Sequence, residues 1–377
     1  MIVNTHKIYA DDHIFCFVIQ TYHTRVPPGL IRLRSCARTQ GSIGMGLSMK
    51  KLIVFATLLA MTGSAFAADL PVKALKAPPP APFDPWDIAF GGGIVSDYVF
   101  RGVTQSNHQP SVAAYFEPRY NINKDLQLYV GTSGESISFA NRAAAEVDIY
   151  GGIRPTFGAF ALDFGVWGYL YPGGSCADNQ LTGGIPGGNV CPVSTNTIFL
   201  ADGNVMKKDV SFYEVYGKGN YTINDSWQVG VNEYYTPSFL HSGAWGDYAS
   251  LTAKYTAPAA AFGKCGVGMY VSGEVGRQWL GTTDAFYRVP GFPNGIPYAS
   301  YNTWNIGIGF TYKVFTLDIR YSDTDLSKGN CNAFTSAFNS TGVASTPINP
   351  GGPGSNWCGA AGIVKVSADL TAVSNLK

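Results

Sequence analysis

Hydrophobic and polar residues alternate through the stretch 145–170, and this pattern predicts two long β-strands joined by a tight turn. Successive side chains on a strand point to opposite faces, so Glu146 and Asp148 share one face of the first strand. Val147 and Ile149 share the other face. A soluble sandwich would turn the charged face to water, whereas a membrane barrel would turn the apolar face to lipid and the charges inward.

The same alternation recurs along residues 86–377 and predicts about twelve strands, with ten or fourteen as alternatives. Turn-forming residues such as Asn224 and Asp225 separate neighbouring strands. The predicted strands are 86–105, 111–123, 125–138, the two strands within 145–170, 209–223, 226–239, 245–256, 264–280, 299–312, 314–323 and 362–373.

The connections between these strands alternate in length. Those after the second, fourth, sixth and tenth predicted strands are at most three residues long, whereas 172–208, 281–298 and 325–360 are long. In an outer-membrane barrel the short turns lie on the periplasmic side and the long loops lie outside. The pattern therefore predicts an all-β fold, a transmembrane antiparallel up-and-down β-barrel with an even number of strands.

Composition favours the membrane arrangement. Charged residues make up 14% of the chain, aromatic residues also make up 14%, and 45 residues are glycine. An average soluble domain is about 25% charged, and aromatic girdles are typical of membrane barrels. The chain has no run of the roughly 18 apolar residues that a spanning helix needs, but strands can also cross a membrane. A soluble β protein is the alternative, although the apolar faces are too many for one sandwich core.

The barrel prediction assigns a direction to each strand side chain. An Arg or Lys on the lipid face costs roughly 2–4 kcal/mol at the midplane, so charged faces should line the lumen. The predicted lipid-facing residues are Val147, Ile149, Leu162, Phe164, Val166, Ile306, Ile308, Phe310, Leu317 and Ile319. The predicted pore-lining residues are Arg101, Glu117, Arg119, Glu146, Asp148, Arg154, Asp163, Asp318 and Arg320.

The residues before the barrel read as export and tether segments. Within 49–67, a Met-Lys-Lys start and an apolar run precede an Ala-Phe-Ala sequence that ends at Ala67. This pattern predicts a secretory signal peptide that is cleaved after Ala67. Residues 1–48 are predicted to be either a misassigned start or an extended leader. Residues 68–85 are rich in proline and are predicted to form an extended periplasmic linker.

A compact motif lies at the start of the barrel region. It reads Ser96-Asp97-Tyr98-Val99-Phe100-Arg101-Gly102 and is followed by Gln105 and Pro110. The motif resembles the opening of the TorF family of proteobacterial porins, and the barrel pattern extends the resemblance over most of 86–377. The resemblance implies an outer-membrane barrel more strongly than it implies any substrate. The chain differs from the usual outer-membrane pattern because its last residue is Lys377 rather than an aromatic residue.

Five cysteines follow the predicted cleavage site. Cys176 and Cys191 lie in one long loop, and Cys331 and Cys358 lie in another. The exported compartment is oxidising, so we predict one disulfide bond within each loop. Cys265 is left over and is predicted to be a buried free thiol. No metal site is predicted, because no C-x-x-C spacing is present and only two histidines follow Ala67.

Those two histidines, His108 and His241, both lie in predicted loops. A Ser-His-acid hydrolase would need one of them beside an activated serine, and no G-x-S-x-G, P-loop or dinucleotide motif is present. Glu146 and Asp148 share a face and could serve a glycosidase, but pore lining requires fewer assumptions. The sequence therefore predicts neither an enzyme nor a cofactor.

The favoured interpretation is a porin-like channel in the bacterial outer membrane, through which small hydrophilic solutes or ions diffuse passively. The expected partners are membrane lipid and these solutes. Seven of the 26 basic residues but only two of the 25 acidic residues precede residue 68, so the rest of the chain has 19 basic and 23 acidic residues and a net charge of −4. Nucleic acid is therefore not an expected partner. A non-conducting structural or surface-binding barrel is the first alternative, and an outer-membrane hydrolase is the second. The oligomeric state is left open.

Overall fold

The computed structural model describes residues 84–174, 206–263, 265–335 and 342–376. All of these lie in the compact unit that spans residues 79–377. The predicted leader, the signal peptide and most of the linker lie outside the described residues. Cys176 and Cys191 also lie outside them, so their pairing stays a prediction.

Twelve strands form one closed antiparallel barrel, which confirms the predicted fold. Neighbouring strands in the chain pair with each other, and the first strand pairs with the last, with Gly93 opposite Ser367. Closure leaves no free sheet edge. Two further short strands, β2 and β3, form a small hairpin that is not part of the barrel wall. The strands are β1 (Trp86–Val95), β2 (Val99–Phe100), β3 (Val103–Thr104), β4 (Ser111–Asn123), β5 (Leu126–Glu135), β6 (Glu146–Phe157), β7 (Phe160–Leu170), β8 (Phe212–Thr222), β9 (Trp227–Thr236), β10 (Gly246–Thr256), β11 (Val267–Leu280), β12 (Tyr301–Tyr312), β13 (Phe315–Thr324) and β14 (Ala361–Thr371).

The first strand is shorter than the sequence predicts. β1 ends at Val95, whereas the alternation extends the predicted strand to Gln105. The chain leaves the wall there and turns back on itself in the β2–β3 hairpin. Arg101 and Gly102 have φ angles of 48° and 76°, in the left-handed region, so a straight strand cannot continue through them. The prediction was wrong here because β-branched and aromatic residues continue to Thr104 and favour a strand in a hairpin as much as in the wall.

The connections alternate in length as predicted. The tight turns at 124–125, 158–159 and 313–314 join strands at one end of the barrel, which we call the short-turn end. Gly158 and Lys313 have positive φ angles of 60° and 54°, as tight hairpins require. Longer segments join the strands at the other end, which we call the long-loop end. The longest of these are 171–211, 281–300 and 325–360.

The outer surface of the barrel is apolar. Aliphatic side chains from the middle of the strands point outward, and Ile306 is 58% exposed. All of the predicted lipid-facing residues lie on this outward face. Exposed aromatic side chains surround the aliphatic band at both ends. They are Trp86, Tyr120, Phe157, Phe160, Tyr221, Trp227, Tyr312 and Phe315 at the short-turn end, and Tyr213, Tyr235, Trp245, Trp279, Trp304 and Tyr321 at the long-loop end.

Buried apolar side chains are concentrated at the long-loop end, where Phe139, Ile296 and Trp357 belong to one cluster. The connection 325–360 contains the helix Lys328–Thr335, and a disulfide bond joins Cys331 in this helix to Cys358. The predicted pairing of these two cysteines is therefore confirmed. A closed loop of this kind restricts the unfolded chain and stabilises the folded loop.

Two features near the short-turn end differ from expectation. Cys265 is a free thiol but is exposed, so the prediction of a buried thiol is wrong. It precedes β11, which begins at Val267, and so lies at the rim rather than in the wall. The last barrel strand, predicted to reach residue 373, ends at Thr371 and is followed by a short helix, Ala372–Asn375. None of the helices in the described ranges is long and apolar enough to cross a membrane.

Candidate functional site

Residues 96–110, which connect β1 to β4, fold into the barrel and form what we call the plug. Val103 and Thr104 of its hairpin are 3% and 1% exposed. Gly102 at the hairpin turn lies against the wall, since a Cβ atom there would be 2.8 Å from the Cβ atom of Thr324. Glycine at this position therefore permits both the positive φ angle and the close approach.

Arg101, at the tip of the plug, binds the wall of the barrel. Its guanidinium donates to both carboxylate oxygens of Glu214, at 2.8 and 2.7 Å, and to Oε1 of Gln278 at 2.9 Å. The guanidinium carbon lies 4.9 and 4.3 Å from the ring centroids of Tyr234 and Tyr248. The side chains of Arg101 and Glu214 are 5% and 0% exposed. A pair buried this deeply needs such complete hydrogen bonding, and the pair fastens the plug inside the lumen.

The sequence predicts Arg101 as a pore-lining residue on the first strand, and the structure places it on the plug instead. Its partners Glu214 and Gln278 are absent from the predicted pore-lining set. Glu214 alternates with Tyr213 and Val215 on β8, so the period-two pattern contains the signal for its inward direction. No sequence signal indicates that Arg101 reaches it, because the contact spans 113 positions.

A second charged cluster lies in the lumen toward the short-turn end. Arg154 on β6 donates to Glu117 at 2.7 Å and to Asp163 at 3.2 Å. Arg119 donates to the same Glu117 oxygen at 2.6 Å. The phenol of Tyr129 donates to Asp163. Four of the predicted pore-lining residues therefore come together from β4, β6 and β7, and they form a compensated network of two arginines and two carboxylates.

A third group comes from β12 and β13. Arg320 donates to Asp318 at 3.0 Å, to Asn305 at 2.5 Å and to Ser272 at 2.9 Å. A cavity of about 290 Å³ is lined by Arg320 and Asn305 of the wall and by Arg101 of the plug. Open space therefore remains beside the plug, and charged side chains border it.

Glu146 and Asp148 occupy a different place from the other predicted pore-lining residues. They lie at the long-loop end of β6, where they are 2% and 4% exposed. Tyr98 of the plug donates to Glu146 at 2.6 Å. These two carboxylates are thus covered by the plug and do not border the open part of the lumen.

The plug also contains a polar contact at the long-loop end. Asp97 accepts hydrogen bonds from the hydroxyls of Thr104 and Ser106. The Nδ1 atom of His108 lies 2.7 Å from Asp97 Oδ2, and its Nε2 atom lies 2.8 Å from the carbonyl oxygen of Asn356. Both partners of the imidazole are acceptors, so the doubly protonated form donates to both. Burial disfavours the charge, but the hydrogen bonds to Asn356 and Asp97 outweigh burial and raise the pKa of His108.

We expect the barrel to lose stability as the pH rises through the raised pKa of His108. The stabilisation is fully present below the unfolded-state pKa of about 6.5 and is lost above the folded-state value. The loss should be less than about 1 kcal/mol, because the imidazole is 40% exposed. Urea unfolding of the reconstituted protein between pH 5 and 9 would measure it.

Two variants test whether this pH dependence comes from His108. His108→Gln should reduce it. His241→Gln is the control, because His241 lies 3.9 Å from Asp209 and is 53% exposed, so that variant should retain the pH dependence. A pH dependence in His108→Gln as large as that of the wild type would contradict the assignment.

Part of the chain matches a known family model. Residues 80–186 match the model described as "Bacterial protein of unknown function (Gcw_chp)". The matched segment contains β1, the plug and the strands β4 to β7. No curated protein matches this chain in sequence.

Many solved structures are weakly similar to this chain, and three of them show the level of similarity. The COG4313 outer membrane channel from Pseudomonas putida F1 is 11% identical with a TM-score of 0.38, over 77% of this chain and 97% of that chain. LpxR from Salmonella typhimurium is 9% identical with a TM-score of 0.35, over 75% of this chain and 99% of that chain. OmpT, an outer membrane protein of Vibrio cholerae, is 12% identical with a TM-score of 0.30, over 77% of this chain and 99% of that chain. Similarity at this level transfers no activity to the chain.

Proposed function

We propose that this protein is an outer-membrane channel whose narrow, charged lumen passes small hydrophilic solutes or ions by passive diffusion. The observation that carries the proposal is the distribution of side chains across the closed wall. Exposed aliphatic residues between two aromatic girdles face outward, and networks of arginines and carboxylates face inward. An apolar exterior suits lipid, and a polar interior suits water and solutes.

The proposed location requires export. The signal peptide at 49–67, cleavage after Ala67 and the linker at 68–85 supply it in this proposal. The long loops would then lie outside the cell, and the short turns would face the periplasm. N-terminal sequencing of the protein from outer membranes tests the cleavage site, and a first residue other than Ala68 would contradict it.

The motif by which the chain resembles the TorF family of porins lies in the plug. Its residues Ser96 to Gly102 include Asp97, which holds the plug's hydroxyls, and Arg101, which binds the wall. We propose membership of that family on the motif and the barrel pattern. The motif's physical role would be to narrow the lumen.

A non-conducting barrel is the second candidate, and the plug favours it. The Arg101–Glu214 pair and the aromatic rings around it occupy much of the lumen at the level of the plug. Planar-bilayer recordings of the purified, refolded protein separate the two candidates. We expect discrete but small current steps, because the plug leaves only a narrow path. A barrel that inserts and stays electrically silent would favour the structural or surface-binding role.

We expect two lumen substitutions to shift ion selectivity in opposite directions. Arg154→Ala leaves Glu117 and Asp163 with less positive charge nearby and should favour cations. Asp318→Ala leaves Arg320 without its carboxylate and should favour anions. Reversal potentials across a salt gradient measure both shifts. Unchanged reversal potentials in both variants would remove these residues from the conduction path.

The hydrolase alternative has a direct test. In the described contacts, His108 faces a carboxylate and a carbonyl oxygen rather than a serine hydroxyl, an arrangement that suits an imidazolium better than a general base. Esterase and lipase assays of the folded protein, with His108→Gln beside it, address this alternative. Activity that the substitution abolishes would overturn the channel proposal.

A further inference from the structure

Three carboxylates meet inside the barrel near the long-loop end. Glu135 at the end of β5 lies directly opposite Glu146 at the start of β6. One oxygen each from Glu135, Glu146 and Asp148 lies within 4.8 Å of the others. Glu146 and Asp148 are 2% and 4% exposed. Carboxylates this close and this well shielded from water repel each other strongly unless a proton or a cation compensates their charge.

The hydrogen bonds around the cluster leave two oxygens unsatisfied. Tyr98 and Tyr171 donate to the two oxygens of Glu146, at 2.6 and 3.0 Å. Asp148 accepts a hydrogen bond from Ser133 through Oδ2, and its carboxylate also interacts with the side chain of Trp167. The Oδ1 atom of Asp148 and Oε2 of Glu135 are buried and have no hydrogen-bond partner. Buried acceptors without donors are costly, and both belong to the same cluster.

The neighbouring cations do not pair with the cluster. The salt bridges formed within the described ranges use other carboxylates. Lys365 on β14 is the cation whose attraction reaches Glu135, but it forms no salt bridge with it. The cluster therefore has more negative charge than its surroundings balance.

We propose that Glu135, Glu146 and Asp148 bind one divalent cation, with Ca²⁺ preferred over Mg²⁺. All of the donors are oxygens, which are the ligands of hard cations. Ca²⁺ holds oxygens at about 2.4 Å, so two oxygens on opposite sides of it are about 4.8 Å apart. Mg²⁺ would require about 4.2 Å and stricter octahedral geometry. The three oxygens lie within 4.8 Å of one another, so all of them can contact one ion, and Ca²⁺ tolerates the irregular geometry of such a cluster better than Mg²⁺ does.

The proposed ion would connect the wall to the plug. It joins β5 to β6 directly, and Glu146 also holds the Tyr98 hydroxyl of the plug. The sequence prediction of no metal site relied on cysteine and histidine spacing, and it did not consider carboxylates on paired strands. This proposal does not depend on conductance, so the channel proposal can fail without affecting it.

Terbium luminescence provides the test, because Tb³⁺ replaces Ca²⁺ and accepts energy from nearby aromatic rings. Trp167 on β7 pairs with Tyr150 of β6, and Tyr150 is two residues from Asp148 on the same face of that strand. The rings of Trp167 and Tyr150 are stacked with their centroids 4.0 Å apart. The folded, EDTA-treated barrel in detergent should give Tb³⁺ emission on tryptophan excitation. Added Ca²⁺ should abolish this emission at lower concentration than Mg²⁺.

Substitutions locate the site. Asp148→Asn and Glu146→Gln should each weaken Tb³⁺ binding on the order of tenfold or more. Asp369→Asn is the matched control, since Asp369 is a lumen carboxylate on β14 that accepts from Tyr115, and its Tb³⁺ affinity should equal that of the wild type. Equal affinity in wild type and Asp148→Asn would overturn the proposal.

A measurement on the unaltered protein guards against variants that fail to fold. Ca²⁺ should raise the unfolding temperature of the wild-type barrel relative to EDTA, because a ligand that binds the folded state stabilises it. Absence of both this rise and the sensitised emission would overturn the site, whatever the variants do.

Discussion

Replacing Arg101 with alanine should destabilise the barrel by about 3–5 kcal/mol and increase its conductance. The Glu214 side chain is 0% exposed and would keep a buried charge without its cation. Removing one partner of a buried ion pair costs more than the pair contributed, because the remaining charge stays desolvated. The plug would also lose this attachment to the wall, so the lumen should widen. Urea unfolding in lipid vesicles and single-channel recordings measure the two effects.

Arg119→Ala is the matched control for Arg101→Ala. Arg119 also binds a lumen carboxylate, but it is 25% exposed, and Glu117 retains Arg154 as a partner. Its loss should cost less than about 1 kcal/mol and leave the plug in place. Adding Glu214→Gln to Arg101→Ala should recover part of the stability, since a neutral amide replaces the unpaired charge. If Arg101→Ala has the stability and conductance of the wild type, the pair does not hold the plug.

Replacing Ile306 with arginine should destabilise the membrane-inserted barrel by about 2–4 kcal/mol. Ile306 lies in the middle of β12 and points outward with 58% of its side chain exposed. In a membrane this position contacts hydrocarbon, where a guanidinium loses its hydration. In a water-soluble barrel the same substitution would place a charge in water and have little effect. Unfolding from vesicles is the measurement.

Val343→Arg is the control for Ile306→Arg. Val343 lies in the connection 325–360 and is 84% exposed, so arginine there stays hydrated. The two variants carry the same added charge and differ only in its surroundings. A cost for Ile306→Arg no larger than that for Val343→Arg would contradict the lipid-facing exterior and, with it, the membrane location.

The wall of the barrel was predictable because its signal is local. Val147 and Ile149 alternate with Glu146 and Asp148 whether or not the rest of the chain is known, and strand geometry converts that alternation into two faces. The register at β6 and β7 bears this out, since Ile149 pairs with Gly168 outside and Asp148 pairs with Tyr169 inside. Strand number and alternating loop lengths followed from the same local pattern.

The plug was not predictable, because its position depends on contacts between distant parts of the chain. Val99, Phe100, Val103 and Thr104 are β-branched or aromatic residues like those of a wall strand, and the left-handed backbone at Arg101 and Gly102 turns the chain back. The partners of the plug come from elsewhere: Glu214 for Arg101, and the carbonyl of Asn356 for His108. The disulfide is intermediate, since loop position indicated Cys331 and Cys358 correctly while the exposure of Cys265 went against expectation.

The sequence by itself determined a closed β-barrel with an apolar exterior and a charged interior, because side-chain direction on a strand has a fixed period of two. Only the tertiary structure decided which charges meet. It brought Arg101 to Glu214 and gathered Glu135, Glu146 and Asp148 into one cluster. Closure of the cylinder sets those distances, and closure is a property of all the strands together rather than of any single stretch.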